Sequence, residues 1–120
     1  MNGVNISLAN QRTAYEPGEA LLGEVDWSFT DPATAIEIHL MWRTRGKGDA
    51  DECRPIIQRL DNPPLRGRQT FNFTLPVGPC SFSGRLITLS WQVEVLVLPW
   101  KQRVVQELVI APSRMEITLP

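Results

Sequence analysis

Residues 85–99 read R-L-I-T-L-S-W-Q-V-E-V-L-V-L-P, and this stretch decides the fold. Apolar side chains occupy every second position from residue 87 onward, and they are Ile87, Leu89, Trp91, Val93, Val95 and Val97. Because successive side chains of a strand point to opposite faces, this period predicts a long β-strand with one wholly apolar face. Burial of such a face requires a second layer of structure.

Shorter segments elsewhere in the chain also indicate strands, most of them by the same alternation, whereas residues 103–110 have mixed faces and residues 55–60 suit a short edge strand. They span residues 4–8, 20–30, 35–45, 55–60, 67–75, 103–110 and 115–119. Turn-forming residues separate them, and no segment has the 3.6-residue apolar period of a helix. We therefore predict an all-β fold, a β-sandwich with seven to nine strands. Residues 46–54 are expected to form a surface loop, and Phe82 is expected to point inward from the turn-rich residues 76–84.

Length and composition indicate one globular domain over residues 1–120. The chain has a mass of 13.5 kDa, is 42% hydrophobic and 21% charged, and carries a net charge of −1. A chain of this size buries enough surface for a core of its own. Since acidic and basic residues are scattered, nucleic acid and anionic membranes are poor candidates for partners.

The sequence shows neither a signal peptide at its start nor the run of about 20 apolar residues that a membrane span needs. We therefore expect a cytoplasmic protein in which Cys53 and Cys80 are reduced, although a bridge between them would suit a secreted chain. Two cysteines and one histidine cannot make a four-ligand zinc site within the chain. We predict no metal and no cofactor.

Enzymatic activity is not expected. His39 is the sole histidine, lies on the predicted outer face of a strand, and has no nucleophile at a suggestive spacing. Glu24 and Asp26 share one side of a strand, where paired carboxylates are ordinary surface residues. Asp49, Asp51 and Glu52 lack the ligand spacing of a calcium loop.

One short motif resembles a known family. Tyr15-Glu16-Pro17-Gly18-Glu19, followed by Gly23, is similar to the Tyr-x-Pro-Gly-Glu…Gly signature of the arrestin N-terminal domain. Residues 71–76 (F-N-F-T-L-P), and then 81–84 (S-F-S-G) before the long strand, also resemble that family. The resemblance covers residues 4–97. It implies an immunoglobulin-like β-sandwich of the arrestin type, with two antiparallel sheets, that acts as a scaffold or adaptor and binds a protein through loops and strand edges.

The chain departs from the arrestin pattern in two respects. It has room for one sandwich where arrestins pair two, and residues 4–8 lack the basic side chains that contact receptor phosphates. A single-domain relative without phosphoreceptor binding is therefore implied. The motif itself predicts fold-forming roles, since Pro17-Gly18 sets a turn and Tyr15 and Glu19 find backbone partners.

Two groups of residues are candidates for a protein-binding surface. Leu96, Leu98 and Trp100 follow the polar part of the long strand's outer face and form a candidate exposed apolar patch. Arg43 and Arg45, with Lys47 and Arg54, are candidates for the rim of a polar site. In the alternative interpretation, the leucines pack under a loop and the arginines are only solvated.

The main functional hypothesis is a non-enzymatic adaptor with a protein partner. The alternative is a structural, self-assembling sandwich, a homo-oligomer joined through the Leu96–Trp100 end or through residues 103–110. Trp27, Trp42 and Trp91 are expected in the core under either hypothesis.

Overall fold

The computed structural model describes residues 3–46, 51–78, 81–83, 87–111 and 117–118. These residues form seven strands of six or more residues and three strands of two. The strands are β1 (Gly3–Leu8), β2 (Ala14–Tyr15), β3 (Ala20–Ser28), β4 (Ala35–Gly46), β5 (Glu52–Asp61), β6 (Arg66–Thr74), β7 (Phe82–Ser83), β8 (Ile87–Leu98), β9 (Gln102–Ile110) and β10 (Ile117–Thr118). A single 3₁₀ turn, Ala9–Gln11, follows β1. The described residues therefore include no helix long and apolar enough to cross a membrane.

The strands form two sheets, as the sequence predicts. The smaller sheet has the order β1-β3-β6, and the larger has the order β10-β7-β8-β4-β5, with β9 beside β8 and β2 beside β9. All pairs between long strands are antiparallel. The expectation of purely antiparallel sheets is corrected at two short pairs, β2 with β9 and β7 with β10, which are parallel.

The predicted apolar faces meet between the sheets. From β8, the side chains of Leu89, Trp91, Val93, Val95 and Val97 are buried. Side chains of the smaller sheet, which faces β8, and of β4, which lies beside β8, complete the core. Among them are Leu21, Val25, Trp27, Phe71, Phe73, Ile36, Ile38 and Leu40. Trp42 is half-buried and packs against this cluster. Burial of each such side chain stabilises the fold by roughly 1.5–3 kcal/mol, so the facing apolar surfaces hold the two sheets together.

Glycine and aromatic residues face each other twice across β3 and β6. Gly23 lies opposite Phe71, and Trp27 lies opposite Gly67. A Cβ atom on Gly23 would lie 2.5 Å from Cζ of Phe71, and one on Gly67 would lie 2.6 Å from Cζ2 of Trp27. Each aromatic ring therefore occupies the space that a side chain on the opposite glycine would need. The Ser7 carbonyl oxygen would lie 2.8 Å from the same Cβ atom on Gly23, so the backbone of β1 also approaches this position closely.

The arrestin-like motif builds a locked turn between β2 and β3. Gly18 has φ +84°, and the Glu19 amide donates to the Glu16 carbonyl at 3.2 Å, closing a turn around Pro17-Gly18. The Glu19 carboxylate accepts hydrogen bonds from the Glu16 amide at 2.8 Å and from Arg12 at 2.9 Å. The fold-forming role predicted for these residues agrees with this geometry.

Tyr15 anchors the same turn to the core. Its ring is 2% exposed, its hydroxyl donates to the Arg12 carbonyl at 3.0 Å, and the Arg12 guanidinium lies 4.4 Å from the ring centroid. Burial raises the pKa of Tyr15, while the nearby Arg12 charge opposes that rise. Arg12, which the motif does not include, thus joins Tyr15 to Glu19.

Some sequence-based expectations need correction, and others concern residues outside those described. Glu52, Cys53 and Arg54, predicted in a loop, begin β5, because β4 and β5 pair as far as Arg43 opposite Glu52. Strand β5 is an edge of its sheet, as Pro55 predicts. The expectations for Lys47, Asp49, Cys80, Met115 and Leu119, and for the side chains of Phe82 and Ile87, lie outside the residues or side chains described.

Candidate interaction surface

The outer face of the larger sheet carries an unusual arrangement of polar side chains. Ile57, His39, Glu94 and Val105 are consecutive neighbours across β5, β4, β8 and β9. The two apolar residues at the edges are about half exposed, at 52% and 46%, whereas His39 and Glu94 in the middle are 5% and 1% exposed. The polar residues are therefore buried and the apolar ones are exposed, the reverse of the usual distribution.

Long side chains reach the buried Glu94 from β9, which lies beside β8, and from β5, which lies beyond β4. Arg103 donates to its Oε1 at 2.6 Å from β9, and Arg54 donates to its Oε2 at 3.5 Å from β5. Gln92 contributes a further hydrogen bond at 3.4 Å. A carboxylate removed from water at this position is stabilised by these charged donors, without which its burial would be strongly unfavourable.

His39 continues the network toward the sheet edge. Arg54 Nη1 lies 2.7 Å from His39 Nδ1, and His39 Nε2 lies 2.8 Å from Glu37 Oε1. Because a guanidinium can only donate, Nδ1 must accept, and Nε2 carries the proton that is donated to Glu37. His39 lies on the outer face as predicted, but its predicted exposure is wrong, since the side chain is 5% exposed and Arg54 of the neighbouring strand bonds to the ring.

Glu37 links this network to Arg59 and Asp61. The hydrogen bond from His39, and then that from Arg59 at 2.6 Å, lower the pKa of the Glu37 carboxyl, although partial burial opposes them. Arg59 also donates to Asp61 at 2.7 Å, and these bonds raise the pKa of its guanidinium. A continuous chain of polar contacts thus crosses the sheet from Arg103 on β9 to Asp61 on β5.

An exposed tryptophan lies on the turn after β8. Residues 99–101 form this turn, and the Trp100 ring, 39% exposed, packs edge-on against Phe29 with 5.7 Å between ring centroids. Leu65, on the loop before β6, is 48% exposed, and its carbonyl accepts the Phe29 amide at 2.7 Å. Trp100 and Leu65 therefore lie at one end of the sandwich, on loops fixed to Phe29. We call Leu65 and Trp100, with the half-buried Leu98, the turn end.

The turn end is rigidly supported. The Thr34 amide donates to the Leu98 carbonyl at 2.8 Å, and the Asn62 amide donates to the Thr34 carbonyl at 2.9 Å, which ties three loops together. Trp27 stacks against Phe29 at 6.4 Å, and its indole donates to the Pro64 carbonyl at 2.8 Å. A partner that binds here would meet a preformed surface, which reduces the entropy lost on association.

The predicted binding residues do not form a single surface. Leu96 is half-buried between Glu37 and Arg103 on the outer face, and Leu98 follows it toward the turn end. Arg43 and Arg45 lie opposite Ser90 and Thr88 at the other end of β4 and β8. The step from Glu37 to Arg43 along β4 separates the two groups by about 20 Å, at about 3.3 Å per residue.

Two features of this surface were not predicted. Leu65 was not predicted as a candidate, although its position between Pro64 and Arg66 is typical of a loop residue outside the core. The network around Glu94 was also missed, although Gln92 and Glu94 interrupt an otherwise apolar strand and so indicate a polar cluster. Among the residues described, no three His, Cys, Asp or Glu side chains come together as a candidate metal site.

The fold and these surfaces define a two-sheet β-sandwich with a polar network on one outer face and exposed apolar side chains at one end. No protein-family model matches the sequence, and the comparison with curated proteins found no significant match. The structure is similar to that of Spo0M, a sporulation control protein from Bacillus subtilis, with a TM-score of 0.64 and 17% identity. The match covers 92% of this chain, which spans about half (49%) of the Spo0M chain.

A second solved structure, a beta-glucosidase from Listeria innocua, matches less closely. The TM-score is 0.50 and the identity 16%, and the match covers 98% of this chain but 16% of the glucosidase chain. At such low identity, both similarities concern the fold alone.

Proposed function

We propose that this chain is a non-enzymatic, arrestin-like module that binds another protein in the cytoplasm and uses the turn end to do so. The arrestin-like assignment is supported by the locked turn of Tyr15, Pro17, Gly18 and Glu19 and by the close approach at Gly23. The two-sheet fold that the chain shares with Spo0M, a regulatory protein by its description, is consistent with it. The exposed free thiol of Cys53 suits a reducing compartment.

The exposed Trp100 ring is the observation that carries the proposal. Tryptophan is enriched among the residues that dominate protein–protein binding energy, especially where the ring is held in place and rimmed by apolar neighbours. Phe29 supports one side of the Trp100 ring, and Leu65 extends the apolar surface beside it. The role of Leu96 is secondary, because it is half-buried among charged side chains. Arg43 and Arg45 lie too far away to share this contact.

The experiment is affinity capture from the source cell's lysate with three baits: the parent, Trp100→Ser and Val77→Ser. Val77 is 83% exposed on the loop after β6, beyond the Leu75–Glu19 contact at the other end of the sandwich, so it is a matched control. We expect a partner that the parent and Val77→Ser retain and that Trp100→Ser loses. With the purified partner, the dissociation constant should rise at least about thirtyfold, since such an anchor contributes about 2 kcal/mol or more.

Circular dichroism of each bait shows whether it is folded. Equal capture of the same partner by Trp100→Ser would overturn the assignment of the surface. If the parent captures only further copies of this chain, the adaptor proposal gives way to self-association.

A further inference from the structure

Strand β1 has a free edge without the usual protection. Among the residues that the structure describes, it pairs with β3 alone, and its own residues, G-V-N-I-S-L, include neither a charged side chain nor a proline. None of the backbone hydrogen bonds outside the strand ladders reaches residues 3–8 in the described part of the chain. A strand edge offers unpaired amide and carbonyl groups to another strand, and natural proteins normally block it with charges, prolines or bulges.

The other free edges of the two sheets are protected. Strand β5 carries Pro55 and four charged side chains, which are Glu52, Arg54, Arg59 and Asp61. Strand β6 begins with Arg66 and Arg68, and Gln58 of β5 donates to its Thr70 carbonyl at 3.3 Å. Strand β9 carries Arg103 and Glu107 and is paired with β2 at its last residues. Among the strands that the structure describes, β1 is thus the edge best suited to accept another strand.

The sequence of β1 is self-complementary about Ile6. In an antiparallel pair of two β1 strands centred there, Ile6 meets Ile6 of the second copy, Val4 meets Leu8, and Asn5 meets Ser7. Val4 is buried in the sandwich and Ile6 and Leu8 are half-buried, whereas Asn5 and Ser7 are exposed. Apolar side chains therefore face apolar ones on the inner side of the sheet, and polar ones face polar ones on the outer side.

We propose that two copies of this chain associate through β1 and form one continuous six-stranded sheet from their smaller sheets. The arrangement has two-fold symmetry, so one patch serves both copies. A groove of about 280 Å³ lies between this part of β1 and β9 and is lined by Ile6, Leu8 and Gln106 among others. The association also removes the remaining exposure of Ile6 and Leu8. It is independent of the turn end, which lies on other loops.

The test introduces like charges at the pairing positions. In Asn5→Lys/Ser7→Lys, each lysine at position 5 faces a lysine at position 7 of the second copy, which is unfavourable. Within one chain the same lysines face Asp26 and Glu24 of β3, so the fold should be retained. The matched control is Asn72→Lys/Thr74→Lys, which adds the same charge to exposed positions of β6, the opposite edge of this sheet.

A third variant tests the register itself. In Asn5→Lys/Ser7→Glu, each lysine faces a glutamate of the second copy in the register centred on Ile6, and the charges attract. Sedimentation velocity from low to high micromolar concentration should show a dimer for the parent, the control and this variant. The double-lysine variant should raise the dissociation constant about tenfold, because the two opposing like-charged pairs together are unfavourable by about 1.4 kcal/mol.

A parent that stays monomeric throughout this range overturns the proposal. So does a folded double-lysine variant that dimerises as tightly as the parent. If the lysine–glutamate variant loses the dimer as the double-lysine variant does, the register centred on Ile6 is wrong. Capture by the turn end is measured separately with Trp100→Ser, so failure of one proposal does not decide the other.

Discussion

Two positions of the smaller sheet need glycine because an aromatic ring on the opposite strand leaves no room for a side chain, and not because the backbone has an unusual φ. Gly23 and Gly67 lie within strands, where a glycine ordinarily weakens the sheet. Here each one leaves room for a ring from the opposite strand, so the pair of strands buries Phe71 and Trp27 within the thickness of the sheet. The loss of intrinsic strand stability is offset by the burial of two large side chains.

Gly67→Ala tests this arrangement. The new methyl group would lie 2.6 Å from Cζ2 of Trp27, so the ring or the backbone must move. We expect a loss of about 1–3 kcal/mol in the free energy of unfolding, measured by urea denaturation. Gly3→Ala is the matched control, because a methyl group added there would have no atom within 4 Å and β1 tolerates the change. Equal stability of the two variants would contradict a packing role for Gly67.

Gly18→Val tests the turn of the arrestin-like motif. With φ at +84°, a β-branched residue is strained, and we expect the free energy of unfolding to fall by about 1–3 kcal/mol. Gly78→Val serves as the control, since a Cβ atom at Gly78 would have nothing within 4 Å and its φ is not in the positive range. An unchanged melting temperature for Gly18→Val would show that the turn accommodates the side chain by other means.

At the scale of single elements, strand β8 differs from an ordinary strand of a sandwich because both of its faces are buried. Its inner face supplies Trp91 and three valines to the core, and its outer face holds Gln92 and Glu94 beneath the side chains of neighbouring strands. Strands β4 and β9 flank it on both sides, so it is also central in its sheet. Substitutions on either face should therefore affect stability.

Trp91→Ala removes the largest fully buried side chain of β8. The indole is 0% exposed, and the cavity left behind cannot collapse between two rigid sheets. We expect a destabilisation of about 3–5 kcal/mol by urea unfolding. Val105→Ala, at a half-exposed position of the adjacent β9, should change stability far less. A near-neutral Trp91→Ala would contradict the placement of this residue in the core.

The network on the outer face makes stability depend on pH through Glu37. Its pKa in the folded protein is lowered by His39 and then by Arg59, so the ionised carboxylate stabilises the fold. This contribution is present above the ordinary value near 4.5 and is lost as the pH falls through the lower folded value. The stability difference between the parent and Glu37→Gln, measured by urea unfolding, should therefore be largest near neutral pH.

Below about pH 4 that difference should shrink as Glu37 becomes protonated. Asp26→Asn, with its carboxylate on the other sheet, gives the background effect of removing one acidic residue. A difference between the parent and Glu37→Gln that stays constant from neutral to acidic pH would contradict the stabilising role of the ionised carboxylate.

At the scale of the whole molecule, the alternation of apolar residues was sufficient to predict the two-sheet architecture. The period of two assigns Trp91 and Val95 to the core whichever strands are neighbours, because the inner face must be buried. Burial of the outer face could not be predicted in the same way. It depends on Arg54 and Arg103, which reach Glu94 from strands whose register one sequence does not reveal.

The candidate surface was predicted only in part, for a related reason. Trp100 was identified because, with Leu96 and Leu98, it follows the polar part of the long strand's outer face. The prediction placed Trp100 and Leu96 in one apolar surface because they are close in sequence. Leu96, however, lies among charged side chains on the sheet and contributes less to such a surface. Leu65, distant in sequence, lies near Trp100 because both contact Phe29. Such a contact depends on how three loops meet at one end of the sandwich.

The parallel pair of β2 and β9 has a consequence for the order in which the molecule folds. Ala14 and Tyr15 pair with Val109 and Ile110, nearly a whole chain length away in sequence. Closing so long a loop loses much chain entropy, so the pairing of β2 with β9 should form after the hairpins of neighbouring strands. Tyr15→Phe should then accelerate unfolding and leave the refolding rate unchanged in stopped-flow kinetics. Tyr15, which belongs to the motif that resembles the family, would then stabilise the folded state without stabilising the transition state of folding.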